Sequence, residues 1–224
     1  MRYTSGMTTP LRIDVWSDLA CPWCYIGKRR LDAALAQAAP AGGVEVTWRA
    51  FELDPTAPAV RDDGLTQAER LAAKYRRSAA EAEAMIANVT RIAAGDGLAF
   101  RIDRSKSGNT FDAHRVVKLA ATHGHGTAAK ERLFAAHFTE GQALGDRATL
   151  AALAAEVGLD AAEVTAMLAS DRFAAEVRAD QRLARELGIS GVPFFVFDQR
   201  LAVSGAQPVE ALVGALAQAT AADA

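Results

Sequence analysis

The chain has 224 residues, half of them hydrophobic, and a formal net charge of −2. That length can bury a full core and holds one large or two small domains, while the near-neutral charge gives no grounds for a nucleic-acid or membrane partner. No apolar run approaches the roughly 18 residues of a bilayer span.

Residues 1–10 lack a charged start followed by an apolar stretch, so they read as a disordered leader and not a secretory signal. The expected location is the cytoplasm. Leu11 to Trp16 reads as a first strand. It is followed by Ser17-Asp18-Leu19-Ala20-Cys21-Pro22-Trp23-Cys24, which contains the two cysteines of the chain. From residue 22 to 39 the spacing predicts a helix, with Ile26, Leu31 and Leu35 on its apolar face. The pair therefore falls where a strand turns into a helix. A thiol at that point meets unsatisfied backbone N–H groups and the positive end of the helix dipole, which favour its thiolate. Such sites bring a cysteine pKa from about 8.5 into a range of roughly 3.5–7.5. Cys21 is the expected nucleophile and Cys24, one turn on, the expected resolving thiol. Pro22 suits the first helical turn, where its missing N–H has no helical partner. In a cytoplasmic chain, two cysteines in one motif point to redox chemistry and not to a structural staple.

Two other uses of C-x-x-C fit less well. A haem attachment site needs His after the second cysteine, where Tyr25 stands. A zinc site needs four ligands, and only His123 and His125 could complete one. No metal is expected.

Pro40 and Gly42-Gly43 end the first helix, and Val44 to Phe51 alternates as a second strand, with Val44, Val46 and Trp48 on one face. Asp54-Pro55 and Pro58 break the pattern. From 64 to 187 the chain reads as almost entirely helical. Thr66 with Glu69, Ser78 with Glu81 and Asp160 with Glu163 fit capping boxes or the Asp variant. Asn109 is the expected cap of a helix from Thr110, and Asp146 caps the helix after Gly145. Gly95, Gly158 and Gly188 fall at expected helix ends. Leu133, Phe134, His137 and Phe138 form a buried helical face, with His137 a hydrogen-bonded core residue. Leu98 to Ile102 reads as extended, without an assigned partner. Asp14 and Asp18 read as solvated or capping residues ahead of proton relays.

After Gly188, Val192-Pro193 precedes the apolar strand Phe194–Phe197. Proline cannot donate to a ladder, so it belongs at the start of such a strand, and an X–Pro bond is the usual place for a cis peptide. Asp198-Gln199-Arg200 is a turn, Leu201–Ser204 its hairpin partner, and a last helix carries Val209, Leu212, Val213 and Leu216.

Cys-Pro-Trp-Cys together with Gly-Val-Pro-Phe-Phe resembles the thioredoxin superfamily, and a core split by a helical block resembles its DsbA branch. Asp14-Val15-Trp16-Ser17-Asp18, Phe51-Glu52-Leu53-Asp54-Pro55, Asn109-Thr110 with Ala113-His114-Arg115, and Ser204-Gly205-Ala206-Gln207 resemble the FrnE-type dithiol–disulfide oxidoreductases and isomerases. The resemblance implies an α/β fold: a thioredoxin-like core of 11–55 and 188–220 with an all-helical insertion of 64–187. It implies a cis-proline at Pro193 facing the thiols, exchange through a mixed disulfide on Cys21, and substrate contacts from Pro22, Trp23, Val192, Pro193, Asn109 and His114. The expected partners are a disulfide-containing protein or small-molecule thiol and a cellular reductant or oxidant. No cofactor is expected beyond the redox-active Cys21–Cys24 disulfide, with glutathione a candidate co-substrate. The related kappa-class glutathione transferases and 2-hydroxychromene-2-carboxylate isomerases give an alternative, a glutathione-dependent isomerase or transferase. They carry serine at the first cysteine position.

Overall fold

The computed structural model describes residues 10–40 and 42–221. The expected leader, Pro10 apart, lies outside them. Four strands form one sheet: β1 (Leu11–Ser17), β2 (Val44–Ala50), β3 (Phe194–Phe197) and β4 (Leu201–Ser204), in the order β2-β1-β3-β4. β1 runs parallel to β2 and antiparallel to β3, and β3–β4 is a hairpin. Its turn places Asp198 and Gln199 at φ 44° and 59°, the left-handed pair that matches strand twist in a tight hairpin. Asp198 also accepts the Arg12 N–H through Oδ1 at 2.9 Å.

The side-chain period of two divides the sheet between two cores. In register, Ile13 and Val15 stand beside Phe197 and Phe195 on one side, and beside Val46 and Trp48 on the other. All face the main apolar core. The opposite face of Trp16, Phe194 and Val196 packs with Ala184 and Ile189. Helix α1 (Pro22–Ala38) packs against the last helix, α9 (Val209–Ala221), on the main-core side.

Between β2 and β3 come α2 (Gln67–Tyr75), α3 (Ala79–Gly95), a short 3₁₀ turn (Ile102–Arg104), α4 (Phe111–Thr122), α5 (Gly126–Phe138), α6 (Arg147–Glu156), α7 (Ala161–Leu168) and α8 (Ala174–Glu186). Thr66 and Ser78 close reciprocal boxes with Glu69 and Glu81, and Asp146 and Asp160 cap α6 and α7. α3 stops at Gly95 as expected, and the left-handed glycine that follows it is Gly97, at φ 76°. α4 starts at Phe111, one residue later than expected. Asn109 still accepts the Phe111 N–H at 2.8 Å. Leu98 to Ile102 joins no ladder. Phe100 instead fills an aromatic stack with Tyr25, Phe134 and Phe138, the Tyr25–Phe134 centroids 4.9 Å apart. That stack seats α1 on α5, and Lys28, Arg29 and Tyr25 of α1 all meet Glu131 of α5.

A second tie joins the sheet to the helices through one buried carboxylate. Asp180 of α8 accepts the Ala50 N–H at 2.9 Å, pairs with Arg49 at 3.0 Å and pairs with Lys118 of α4. Arg49 holds Asp14 with its Nε at 2.7 Å. Asp14 is thus an ion-pair partner on the α8 face of the sheet.

Candidate active site

β1 delivers its chain end into α1 through a turn in which Cys21 is the N-cap, in extended conformation, and Pro22 opens the helix. Cys24 follows one turn later, on the buried side. Both thiols are free. Cys21 is 5% exposed and Cys24 1%, whereas Trp23 is 38% exposed. The peptide Val192–Pro193 is cis, and the Cys21 thiol lies 3.7 Å from the Val192 carbonyl oxygen, to which it donates. The two ends of the sequence therefore meet at Cys21 as expected. Gly27 makes the approach possible, because a Cβ there would come within 2.8 Å of Pro193 Cγ.

The two sulfurs are driven in opposite directions. Cys21 is lowered, first by a hydrogen bond from Cys24 and further by the backbone N–H groups of Cys24 and Trp23. Burial and the Asp18 charge oppose this. Cys24 is raised well above an ordinary thiol, by burial first and then by the bond and charge of Cys21. Ionisation is thus favoured at the outer thiol and disfavoured at the inner one.

Cys21, Pro22 and Trp23 open onto a cavity of about 690 Å³, whose far wall includes Leu71, Tyr75 and Met85 of α2 and α3. Asp18 forms part of its floor. Burial alone would push this carboxyl up, but His114, the Leu53 N–H and Thr110 together hold it below the usual range. The Leu53 N–H and Thr110 Oγ1 donate at 2.7 and 2.8 Å.

The residues expected on α4 are placed differently. His114 stands behind Asp18, its Nε2 3.1 Å from the Phe51 carbonyl, and does not line the cavity. Burial pushes its pKa down, opposed by Asp18. Its partner belongs to the segment after β2 and not to the helical block. Asn109 turns the other way. Its Nδ2 donates to Glu52 at 3.1 Å, and it borders a separate cavity of about 430 Å³. Its neighbours Gly108 and Thr110 are the ones that reach the Cys21 cavity.

Two residues of α5 complete the surroundings. His137 is buried as expected, but its Nδ1 has no hydrogen-bond partner, and the ring borders the Cys21 cavity. Burial brings it down to about 4. Lys130 is wholly buried, without a hydrogen-bond acceptor for its Nζ. The sequence carries a sign of it: Lys130 is in phase with Leu133, Phe134, His137 and Phe138, at i, i+3, i+4, i+7 and i+8 of one face. His123 lies 3.0 Å from Glu163, and among the described residues no group of three or more His, Cys, Asp or Glu could hold a metal.

Residues 12–217, nearly the whole described chain, match the DSBA-like thioredoxin domain. The chain belongs to this family. Among DSBA-like structures, the probable DsbA oxidoreductase SCO1869 of Streptomyces coelicolor is 44% identical, with a TM-score of 0.88 over 94% of this chain and 90% of that one. The Bacillus subtilis (strain 168) protein YwbO is 30% identical over 188 residues, 83% of this chain and 86% of its own. The cytosolic disulfide reductase DsbM of Pseudomonas aeruginosa, solved with GSH, shares the fold at 22% identity and a TM-score of 0.64, over 92% of this chain and 98% of that one. No helix among the described residues is long and apolar enough to cross a membrane.

Proposed function

We propose that this DSBA-like protein is a thiol–disulfide oxidoreductase or isomerase working through a mixed disulfide on Cys21. The observation that carries the reading is the Cys21 sulfur at the helix start, lowered by Cys24 and 3.7 Å from the Val192 carbonyl. The Cys21 thiolate attacks one sulfur of a substrate disulfide, and the other sulfur leaves as a thiolate that takes up a proton. Cys24 then attacks the Cys21 sulfur, closes the Cys21–Cys24 disulfide and releases the second substrate thiol. Two electrons pass to the substrate in this direction, and the steps run in reverse for oxidation. Trp23 and Pro22 form the apolar rim, and Val192 presents backbone to an extended substrate beside Pro193. Asn109 and His114 act at most through Glu52 and Asp18. The substrate is a disulfide-bearing protein or a small thiol such as glutathione, in the cytoplasm, and a cellular dithiol or oxidant resets the pair. The second cysteine favours exchange over a glutathione-dependent isomerase, which needs no resolving thiol.

Insulin reduction and refolding of scrambled ribonuclease by wild type, Cys21→Ser and Cys24→Ser test this. Cys21→Ser is expected to be inactive in both, and Cys24→Ser to accumulate mixed disulfides. Full activity in Cys21→Ser would overturn the assignment.

A further inference from the structure

Five of the seven large apolar side chains that stand exposed among the described residues are gathered at one place. Trp23, Leu53, Leu65, Tyr75 and Met85 all line the cavity of about 690 Å³ beside Cys21. Scattered apolar residues are ordinary on a protein surface, whereas a contiguous patch marks a binding site. Leu71 and Tyr75, four residues apart, share one face of α2 and turn it to this cavity. No residue of α2 is buried, so its apolar face is left for an occupant to cover. Val192 and Pro193 do not line the cavity. It therefore lies on the α2–α3 side of Cys21, separate from the backbone that the Val192 turn offers. Its size falls within the roughly 300–1,000 Å³ of small-molecule pockets.

Most polar groups on its walls are already engaged with one another. Arg61 is held by Asp54 and Arg70 by Asp63. Ser107 Oγ donates to Gln67 Oε1 at 3.1 Å, Ser105 Oγ to the His137 carbonyl at 3.0 Å, and Thr110 Oγ1 to Asp18. Lys74, at the exposed rim with its Nζ 5.8 Å from the Tyr75 ring centroid, is the lining cation without a carboxylate partner among the described residues. A peptide entering here would bury backbone N–H and C=O groups with few partners to meet them. Glutathione would bring two carboxylates to one available cation. An apolar group meets neither obstacle.

We infer that this cavity selects the substrate of the exchange: a small-molecule disulfide whose apolar organic group lies between α2, α3 and Trp23 while its sulfur meets Cys21. This substrate class presupposes the exchange chemistry proposed above. For R–S–S–R′ with R the apolar group, the Cys21 thiolate bonds to the sulfur of R, and R′–S⁻ leaves and takes up a proton. Cys24 then attacks the Cys21 sulfur, R–SH departs with the Cys24 proton, and the Cys21–Cys24 disulfide remains. The substrate gains two electrons, and a cellular dithiol returns two to the enzyme. The helical segment thereby sets which disulfides the core accepts.

The test uses mixed disulfides in which R′ is always thionitrobenzoate and R is octyl, benzyl, glutathionyl or a short cysteine-containing peptide. Release of the coloured thiol by the reduced full chain is timed in stopped flow. Each rate is divided by that of dithiothreitol with the same compound, which removes intrinsic reactivity. The octyl and benzyl compounds are expected to exceed the glutathionyl and peptide ones by about tenfold. Met85→Glu and Tyr75→Glu, at exposed positions on two helices, are each expected to lower the octyl-to-glutathionyl ratio about tenfold. Leu187→Glu, at an exposed apolar residue outside the cavity, should leave that ratio unchanged. A glutathionyl or peptide rate equal to or above the octyl rate overturns the inference, and the wild-type series alone decides this. A ratio unchanged in both cavity variants, or an equal fall in Leu187→Glu, overturns it too. No release by wild type, or release by Cys21→Ser at the wild-type rate, overturns the exchange reading instead.

Discussion

Gly27 and Pro193 touch with no room for a methyl group between them. A Cβ on Gly27 would lie 2.8 Å from Pro193 Cγ and 3.2 Å from Phe195 Cζ, both in the packed interior. Gly27→Ala must therefore push α1 away from the Val192–Pro193 turn. Overpacking of this kind costs about 1–3 kcal/mol, readable as a lower denaturation midpoint. Cys21 rides on the same helix, so its contact with the Val192 carbonyl should lengthen and exchange should slow. A variant as stable and as active as wild type would show that the contact is not tight.

The Cys24 thiol is the largest single influence holding Cys21 down. Cys24→Ala should raise the pH at which Cys21 becomes reactive toward iodoacetamide, while Cys24→Ser, which still offers a donor, should raise it less. Equal profiles in the three proteins would remove Cys24 from the account.

The two thiols make opposite contributions to the stability of the reduced form. Cys21, lowered in the folded state, adds stability above its unfolded pKa and loses it as pH falls through its folded pKa. Cys24, raised when folded, adds stability below its unfolded pKa and loses it as pH rises through its folded one. Urea unfolding of the reduced protein should show stability declining above about pH 8.5, the unfolded thiol range, and Cys24→Ala should flatten that decline. A decline that survives the substitution has another source.

Asp18 works against Cys21, because its charge raises the neighbouring thiol. Asp18→Asn should make Cys21 more acidic and at the same time weaken the fold. One of the bonds from the Leu53 N–H and Thr110 Oγ1 would face an amide donor, at a cost of about 1–3 kcal/mol. The alkylation midpoint should therefore fall in pH while the thermal unfolding midpoint falls in temperature. If Cys21 reactivity shifts to higher pH, the Asp18 charge does not reach it.

Asp180→Ala removes the anion shared by Arg49, Lys118 and the Ala50 N–H. Breaking a buried pair from one side costs about 3–5 kcal/mol. Chemical unfolding should show that loss with little change in Cys21 reactivity.

The parts of the fold with a local code were legible. Thr66 and Ser78 announce helix starts because the capping box lies within four residues. Strands 194–197 and 201–204 follow from a proline, an apolar run and a turn. Cys21, Cys24 and Pro193 could be named because their chemistry is written in single motifs. Asn109 and His114 were expected at the groove, yet both point away from it, since the facing of a side chain at the start of α4 depends on Glu52 and Phe51, more than fifty residues away. Lys130 went unread, and His137 was read as buried but with a hydrogen bond its Nδ1 lacks, for a related reason. A polar residue in phase with an apolar stripe signals burial, but only the packed helices decide whether a partner waits for it. His137 lacks a partner for its Nδ1 and Lys130 lacks an acceptor.

The meeting of Cys21 with Val192 has a consequence for biosynthesis. The ribosome delivers the carbonyl that contacts Cys21 171 residues after that thiol. A nascent chain thus exposes its cysteines long before the partner carbonyl exists. A truncated product ending before Val192 would carry the dithiol without its counterpart.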